Sequence, residues 1–162
     1  MLYDMITMRI KKLVFDDYSK YCLPLIKKTM PKEVYEEAVS VLLDPKYLNS
    51  RVLYGIKIKD LKTGKERLVS FSGWIVFDGE FCVSWTATDP EFQGCGFCSR
   101  ILKLVFNKIR SIGAKSIVVE TYEHPKFYSA LIFYRKLGFK LYEFTPNYLK
   151  DGSSVFYMKK NL

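Results

Sequence analysis

The chain has 162 residues, of which 49% are hydrophobic and 27% are charged. This length and composition are typical of one globular domain, and they exclude a chain that is disordered throughout. Lysine and arginine number 26 against 17 acidic residues, so the net charge is +9. A charge spread along the chain is typical of a basic solvated surface, although it also suits an anionic partner such as a phosphorylated cofactor, a nucleic acid or an acidic protein.

The N-terminal part of the chain predicts one short strand followed by two helices. We expect the strand over residues 5–10 and the helices over residues 16–29 and 31–43. Pro31 suits the first turn of the second helix, and apolar residues recur along one side of that helix. Asp44 precedes a proline, a position that disfavours helical geometry, so the second helix ends there.

The middle of the chain predicts three strands joined by short turns. The strands cover residues 51–59, 67–77 and 80–87. Asp78 and Gly79 lie between the second strand and the third, and this dipeptide is a strong signal for a two-residue hairpin turn. We therefore expect an antiparallel meander.

The remainder of the chain alternates between helical and extended patterns. The passage from residue 80 to residue 121 reads as strand, helix, strand, which predicts a right-handed crossover between parallel neighbours. The predicted fold class is α/β (α+β): a single domain over residues 1–162, with a mixed central sheet of about six or seven strands and about four helices. The predicted helices of this part are 94–112 and 127–137, and the predicted strands are 115–121, 138–144 and 154–160.

Four cysteines raise the question of a metal or redox site. Cys95 and Cys98 form a CxxC pattern, which occurs in zinc sites and in redox pairs. A structural zinc site needs four ligands, and Cys22, Cys82 and His124 are isolated from that pair in sequence, so we predict no metal. The N-terminus lacks a signal-peptide pattern, and no apolar run approaches the ~18 residues of a membrane span. We therefore expect a cytoplasmic protein with reduced thiols and no membrane partner.

The most informative segment is residues 89–99 (DPEFQGCGFCS), between a predicted strand and a long predicted helix. Its glycines allow the backbone to approach a ligand closely and to direct several N–H groups into one concavity. The start of a helix adds a partial positive charge, so such a segment can bind a pyrophosphate. A tight turn at a helix start is the alternative interpretation. The segment is neither a Walker loop, because no Gly-Lys-Ser/Thr follows, nor a full dinucleotide fingerprint, because the third glycine is missing.

Residues 93–98 (QGCGFC) resemble the Gln/Arg-x-x-Gly-x-Gly/Ala loop of the GNAT acyltransferases, whose backbone amides hold the pyrophosphate of coenzyme A. Gln93 and Gly96 match the family pattern. Cys98 departs from it, because the family has glycine or alanine at this last position. The similarity also accounts for the CxxC spacing without metal or redox chemistry.

A second, separate segment strengthens the resemblance. Residues 130–139 (ALIFYRKLGF) are similar to the Ala-x-x-x-Tyr-x-x-x-Gly-Phe helix–strand segment of the same family. The two segments occur in the family's order, and the similarity covers roughly residues 67–145. Phe127 is a further departure, because many relatives carry an asparagine there that helps to hold the pantetheine arm.

The resemblance implies a GNAT-like fold and an N-acetyltransferase that moves an acetyl group from acetyl-CoA to a primary amine by direct attack in a ternary complex. It implies that the backbone of residues 86–88 pairs with pantetheine and polarises the thioester carbonyl, which is an oxyanion-hole role. The amides of residues 94–99 would hold the pyrophosphate. The implied cofactor-binding residues are Thr86, Ala87, Thr88, Gln93, Gly94, Cys95, Gly96, Phe97, Cys98 and Ser99.

Two residues are candidates for the proton transfers. The Tyr134 hydroxyl could protonate the leaving thiolate, and the alternative is a tyrosine that only packs in the core. Glu120 is the candidate base, because relatives that modify protein N-termini place a glutamate on this strand; a solvated carboxylate is the alternative. Glu80 at a strand start, and Glu123 and His124 in the loop before the tyrosine helix, are rival candidates.

The acceptor is expected to bind between residues 16–45 and the loop at 144–153, which resembles a loop of several GNAT subgroups, and Tyr148 is a candidate to line its channel. The acceptor could be a small-molecule amine, a protein N-terminus or a lysine, and the resemblance leaves room for a homodimer. Transfer of a longer acyl group remains open, as does a CoA-binding sensor or partner-binding module without turnover. A nucleic-acid-binding domain is less favoured, because the chain has no Lys/Arg-rich aromatic motif of the RNA-binding kinds.

Overall fold

A computed structural model describes residues 8–162 of the chain. Its eight strands form one sheet, which is mostly antiparallel. A π-helical segment, Tyr18–Cys22, joins the first two helices without a break. The elements in chain order are β1 Ile10–Lys12, α1 Phe15–Asp17, α2 Leu23–Thr29, α3 Lys32–Leu42, β2 Arg51–Lys59, β3 Glu66–Phe77, β4 Glu80–Val83, β5 Ala87–Thr88, α4 Phe97–Ser111, β6 Ser116–Tyr122, α5 Tyr128–Lys136, β7 Lys140–Thr145 and β8 Val155–Asn161.

The predicted fold class is confirmed: helices and a mixed sheet occur in the predicted order. The sheet has one strand more than the upper prediction, because the strand expected over residues 80–87 divides into β4 and β5. Of the strand expected over residues 5–10, residues 5–7 lie outside the described residues, and the observed β1 begins only at Ile10. The extent of the domain stays a prediction, since the described chain clusters into two compact units.

The first unit runs up to Ile75 and resumes at Ser84–Val105. In it, β2 pairs antiparallel with both β1 and β3, and β5 pairs antiparallel with β3. Helix α3 buries Val34, Ala38 and Leu42, which are spaced by four residues and so lie on one stripe. The core of this unit comprises Leu13, Tyr18, Cys22, Leu23, Leu25, Ile26, Ala38, Leu42, Leu53, Leu68, Phe71 and Ala87.

The second unit comprises Val76–Val83 and Phe106–Leu162. The predicted hairpin turn is confirmed, because Asp78 and Gly79 both have positive φ, of 48° and 76°. Strand β4 pairs with β6 in parallel, which agrees with the predicted crossover, and the order continues from β6 through β8 to β7.

Helix α4 begins in the first unit and ends in the second. Its apolar stripe is buried as the helical spacing predicts, and Gly113 follows its end with a φ of 97°. The buried residues of this stripe are Ile101, Leu102, Val105, Phe106 and Ile109. Among residues 8–162, every helix is too short or too polar to cross a membrane.

Candidate active site

The glycine loop before α4 has open space beside its backbone. Gly94 and Gly96 have φ values of 78° and 80°, and a methyl group built on either would meet no described atom within 4 Å. The Arg100 N–H donates to the Gly96 carbonyl at 3.0 Å, which starts the hydrogen bonding of α4. The N–H groups of the first turn, Phe97 to Ser99, therefore have no carbonyl acceptor within the helix. Open space, glycine backbone and helix N–H groups together fit a pyrophosphate.

Two ion pairs hold the segment that leads into this loop. Lys28 Nζ lies 2.9 Å and 3.1 Å from the two carboxylate oxygens of Asp89, which is buried, and Arg67 pairs with Glu91. Burial alone would raise the pKa of Asp89, but hydrogen bonds from Lys28 and from the Glu91 N–H outweigh it and hold the pKa below its ordinary value. Asp89 is therefore a carboxylate at neutral pH, and it fixes the loop's first residues to α2.

The backbone just before the loop contains a β-bulge. Phe71 opposes Ala87 in the ladder, whereas the Ser84 N–H donates to the Gly73 carbonyl at 3.0 Å. Two steps along β3 thus correspond to three steps along the facing strand, so one extra residue is inserted there. A bulge leaves the extra residue out of the ladder and redirects its backbone groups. This is why the strand expected over residues 80–87 is interrupted.

The predicted cofactor-binding residues fall on these features, and all of them lie in the first unit. Thr86 follows the bulge, and Ala87 and Thr88 form β5. Gln93 Nε2 donates to the Thr88 carbonyl at 3.3 Å, which ties the loop to β5. This hydrogen bond therefore connects the segment 86–88, predicted to pair with pantetheine, with the loop predicted to hold the pyrophosphate.

The cysteines of the loop differ in their surroundings. Cys95 is exposed, whereas burial raises the pKa of the Cys98 thiol to about 12, so this thiol is neutral at pH 7. All four cysteines are free. Within residues 8–162, no three side chains of histidine, cysteine, aspartate or glutamate are grouped as a metal site would require. The absence of a metal stays a prediction.

The candidate acid and base lie in the second unit. Tyr134 is buried on α5, with its ring centroid 5.3 Å from that of Phe133 and 5.4 Å from that of Phe139. Glu120 is exposed on β6 and lies opposite Tyr157 of β8. A buried tyrosine fits both an acid in a closed site and a packing residue, so its role stays a prediction.

The rival bases are held by other contacts. Glu80 accepts a hydrogen bond from Lys159 at 3.2 Å. The Lys126 N–H donates to His124 Nδ1 at 3.1 Å, which uses one lone pair of the ring in capping a turn. The thiol of Cys82 has its pKa raised to about 11, first by burial and then by the charges of Glu80 and Glu120, so both carboxylates act on the same thiol.

An aromatic cluster connects the loop after β6 with the loop between β7 and β8. The Tyr148 ring is stacked on Tyr122 at 6.3 Å between centroids, and Phe127 packs edge-on against Tyr122 at 5.1 Å. The Glu123 N–H donates to the Ser154 carbonyl at 2.8 Å. Tyr122 could not be assigned to this cluster from the sequence, because a tyrosine in a strand pattern does not indicate a ring contact 26 positions away.

A glycine loop that opens a long helix, with a bulged strand before it, fits a protein that binds a pyrophosphate-containing cofactor. The model of the acetyltransferase (GNAT) domain matches residues 59–141, which is more than half of the chain. The chain belongs to the GNAT acetyltransferase family.

Solved structures agree with this assignment of fold. A protein assigned to the GNAT family from Desulfovibrio desulfuricans has 15% identity and a TM-score of 0.76, with 95% of this chain and 98% of that chain covered. A ribosomal-protein alanine N-acetyltransferase from Escherichia coli has 16% identity and a TM-score of 0.71, with 94% and 92% covered. An aminoglycoside 6'-N-acetyltransferase complexed with coenzyme A has 16% identity and a TM-score of 0.63, with 95% and 97% covered. No curated protein matches the chain.

Proposed function

We propose that the protein is an acyl-CoA-dependent N-acetyltransferase, which transfers an acetyl group from acetyl-CoA to a primary amine by direct attack. One observation carries the proposal: the open space at Gly94 and Gly96, where glycine backbone leads into the first turn of α4. Acetyl-CoA supplies the activated acetyl group and the thiol that leaves. The amides of residues 94–99 bind its pyrophosphate, and the bulged backbone before Ala87 orients the thioester.

Glu120 accepts the proton that the acceptor amine loses, directly or through a water. An aliphatic amine is mostly protonated at neutral pH, so it cannot attack until a base removes a proton. Two facts support Glu120: it lies late on β6, and it is an exposed residue. Glu120→Gln removes the base while it preserves the size of the side chain, and Glu80→Gln is the matched control.

Tyr134 donates a proton to the departing thiolate. A free tyrosine hydroxyl has a pKa near ~10, which is close enough to that of a thiol for proton donation as the bond breaks. Burial among Phe133 and Phe139 supports this role, because an apolar surrounding disfavours a free thiolate and so favours its protonation. Tyr134→Phe removes the proton but keeps the ring.

The acceptor is a small-molecule amine or a protein N-terminus or lysine. The loop between β7 and β8 supports an acceptor channel, because it presents Tyr148, which is 48% exposed. Its Ser154 carbonyl accepts a hydrogen bond from Glu123, which directly follows β6, the strand that carries Glu120. The Escherichia coli neighbour acts on an alanine of a ribosomal protein, which makes a protein N-terminus the first class to screen. Four free cysteines support a reducing, cytoplasmic location.

The test begins with a thermal-shift titration of the purified protein with acetyl-CoA, with CoA and NADH as controls. A ligand at about 100 times its dissociation constant stabilises a protein by about 2.7 kcal/mol, which is readily seen as a raised midpoint. We expect acetyl-CoA and CoA, but not NADH, to raise it. An amine and peptide screen with thiol release as readout follows.

Loss of turnover with retained binding in Glu120→Gln and Tyr134→Phe would support the assigned roles. Absence of any shift at millimolar acetyl-CoA would overturn the proposal. Binding by the wild type without release of thiol from any amine or peptide would favour a CoA-binding sensor, the reading to which the departures at Phe127 and Cys98 point.

A further inference from the structure

Two pairs of hydroxyl groups connect β3 with the segment 86–88, which includes β5. All four hydroxyls lie in the first unit. Ser70 Oγ is 2.8 Å from Thr88 Oγ1, and Ser72 Oγ is 2.7 Å from Thr86 Oγ1. Both serines are completely buried. A buried hydroxyl without a hydrogen-bond partner destabilises the fold, and each pair gives its two hydroxyls a partner. The backbone hydrogen bonds of a β-ladder do not require these hydroxyls. Side-chain hydrogen bonds therefore reinforce the pairing of this segment with β3.

The pair nearer the bulge differs from the other by one further hydrogen bond. Thr86 Oγ1 donates to the Ser84 carbonyl at 3.0 Å. A threonine hydroxyl has only one hydrogen, so the Ser72 hydroxyl must be the donor in its bond to Thr86. The result is a directed chain from Ser72 through Thr86 to the Ser84 carbonyl. We call this chain the hydroxyl clasp.

The clasp spans the residue that the bulge inserts. The ladder pairs Ser70 with Thr88 and Phe71 with Ala87, and the same register continues through the side chains of Ser72 and Thr86. The Ser84 N–H then donates to the Gly73 carbonyl, so Trp85 is the extra residue. The backbone of a bulged residue is not fixed by the ladder. The clasp joins the residues on either side of Trp85 and thereby fixes the bulge's shape.

A buried polar atom lies beside the bulge. Ser84 is 9% exposed, and among the described residues its Oγ has no hydrogen-bond partner. Native proteins rarely leave a buried hydroxyl unsatisfied away from a functional site. The Ser84 side chain therefore offers a polar group beside the bulge beyond those that the fold uses.

We propose that Ser72, acting through Thr86, is a positioning residue for acyl transfer: the hydroxyl clasp holds the bulged backbone so that it polarises the thioester carbonyl. This inference rests on the proposed function. An oxyanion donor is effective only when its direction is fixed before the reaction, and removing one outright costs about 10²–10³ in kcat. Loosening one costs less, so we expect a loss of roughly 10- to 100-fold in kcat when the clasp is broken.

The matched pair of variants is Ser72→Ala and Ser70→Ala. Both remove one hydroxyl from a completely buried serine on the same strand, and both leave a threonine hydroxyl behind, but only Ser72 belongs to the clasp. The readout that needs no acceptor is the 13C chemical shift of bound acetyl-CoA labelled at its acetyl carbonyl, because a hydrogen bond to that oxygen displaces the signal. We expect Ser70→Ala to keep the wild-type displacement and Ser72→Ala to lose most of it, with CoA affinity unchanged in both.

Thr86→Val provides a second test of the clasp. It removes the hydroxyl that receives from Ser72 and donates to the Ser84 carbonyl, so it should reproduce the effect of Ser72→Ala on the carbonyl signal and on kcat. Equal carbonyl signals and equal kcat in Ser72→Ala and Ser70→Ala would overturn the positioning role. The proposed function would still stand if the wild type binds acetyl-CoA and turns it over. Failure of the wild type to bind acetyl-CoA at all would overturn both.

Discussion

A methyl group at Gly96 should weaken cofactor binding without unfolding the protein. The φ of Gly96 is 80°, and an alanine Cβ there would meet no described atom within 4 Å, so no clash opposes the Gly96→Ala change. The cost to folding is the left-handed backbone alone, about 1–2 kcal/mol. For a chain of this size, a loss of about 1 kcal/mol lowers Tm by roughly 2–4 °C. The open space that makes the methyl group tolerable is the space that the pyrophosphate needs.

Gly113→Ala is the matched control for this change. Gly113 has a φ of 97° and the same empty surroundings, but it follows the C-terminal end of α4 rather than preceding its start. Both variants should therefore lose similar stability, measured by thermal or denaturant unfolding. Only Gly96→Ala should lose affinity for acetyl-CoA, by at least about tenfold, which corresponds to about 1.4 kcal/mol of binding free energy. Equal affinity of the two variants in isothermal calorimetry would refute the assignment of the loop as the pyrophosphate site.

Three further results are expected. Glu120→Gln should lower kcat at least about 100-fold with acetyl-CoA affinity unchanged, as a lost general base does, whereas Glu80→Gln should leave kcat within a few-fold of wild type in a thiol-release assay. Asp89 has a folded-state pKa below its unfolded value, so its contribution to stability is present above about pH 4 and is lost as the pH falls through the folded pKa. In unfolding curves measured at decreasing pH, Asp89→Asn should therefore lose less stability in acid than the wild type. Arg51→Met should destabilise the fold by about 1–3 kcal/mol in urea unfolding, because the buried guanidinium donates to the Val41 carbonyl at 3.1 Å, and Arg51→Lys should recover part of the loss.

Much of the fold could be predicted from the sequence, because its helices, strands and turns have strong local signals. The apolar stripe of α4 recurs with helical spacing, and Gly113 follows where the spacing stops, so both the helix and its end could be predicted. The turn at Asp78 and Gly79 was equally local. The glycine loop was found by the same kind of evidence, because its residues are contiguous and their chemistry needs no distant partner.

The bulge and the buried cation could not be predicted, because each depends on contacts between distant parts of the chain. Residues 80–87 read as one continuous strand, and only the register against β3 shows that Trp85 is extra. Arg51 begins the strand predicted over residues 51–59, and only the structure shows that it is buried and donates to carbonyls at the end of α3. A side chain's partner nine or more residues away in sequence leaves no periodic signal.

The net charge of the protein is a poor guide to the field at the loop, because the charges nearest it are paired. Asp89 and Glu91 precede the loop and would oppose an anion, yet Lys28 neutralises the first and Arg67 the second. The loop therefore experiences the partial positive charge of the α4 start and the exposed Arg100 one turn into the helix, largely free of opposition from those carboxylates. It follows that Lys28→Met should weaken binding of the pyrophosphate through the uncovered Asp89 charge, an effect that added salt would screen, whereas the methyl group of Gly96→Ala acts by shape and should weaken binding equally at low and high salt.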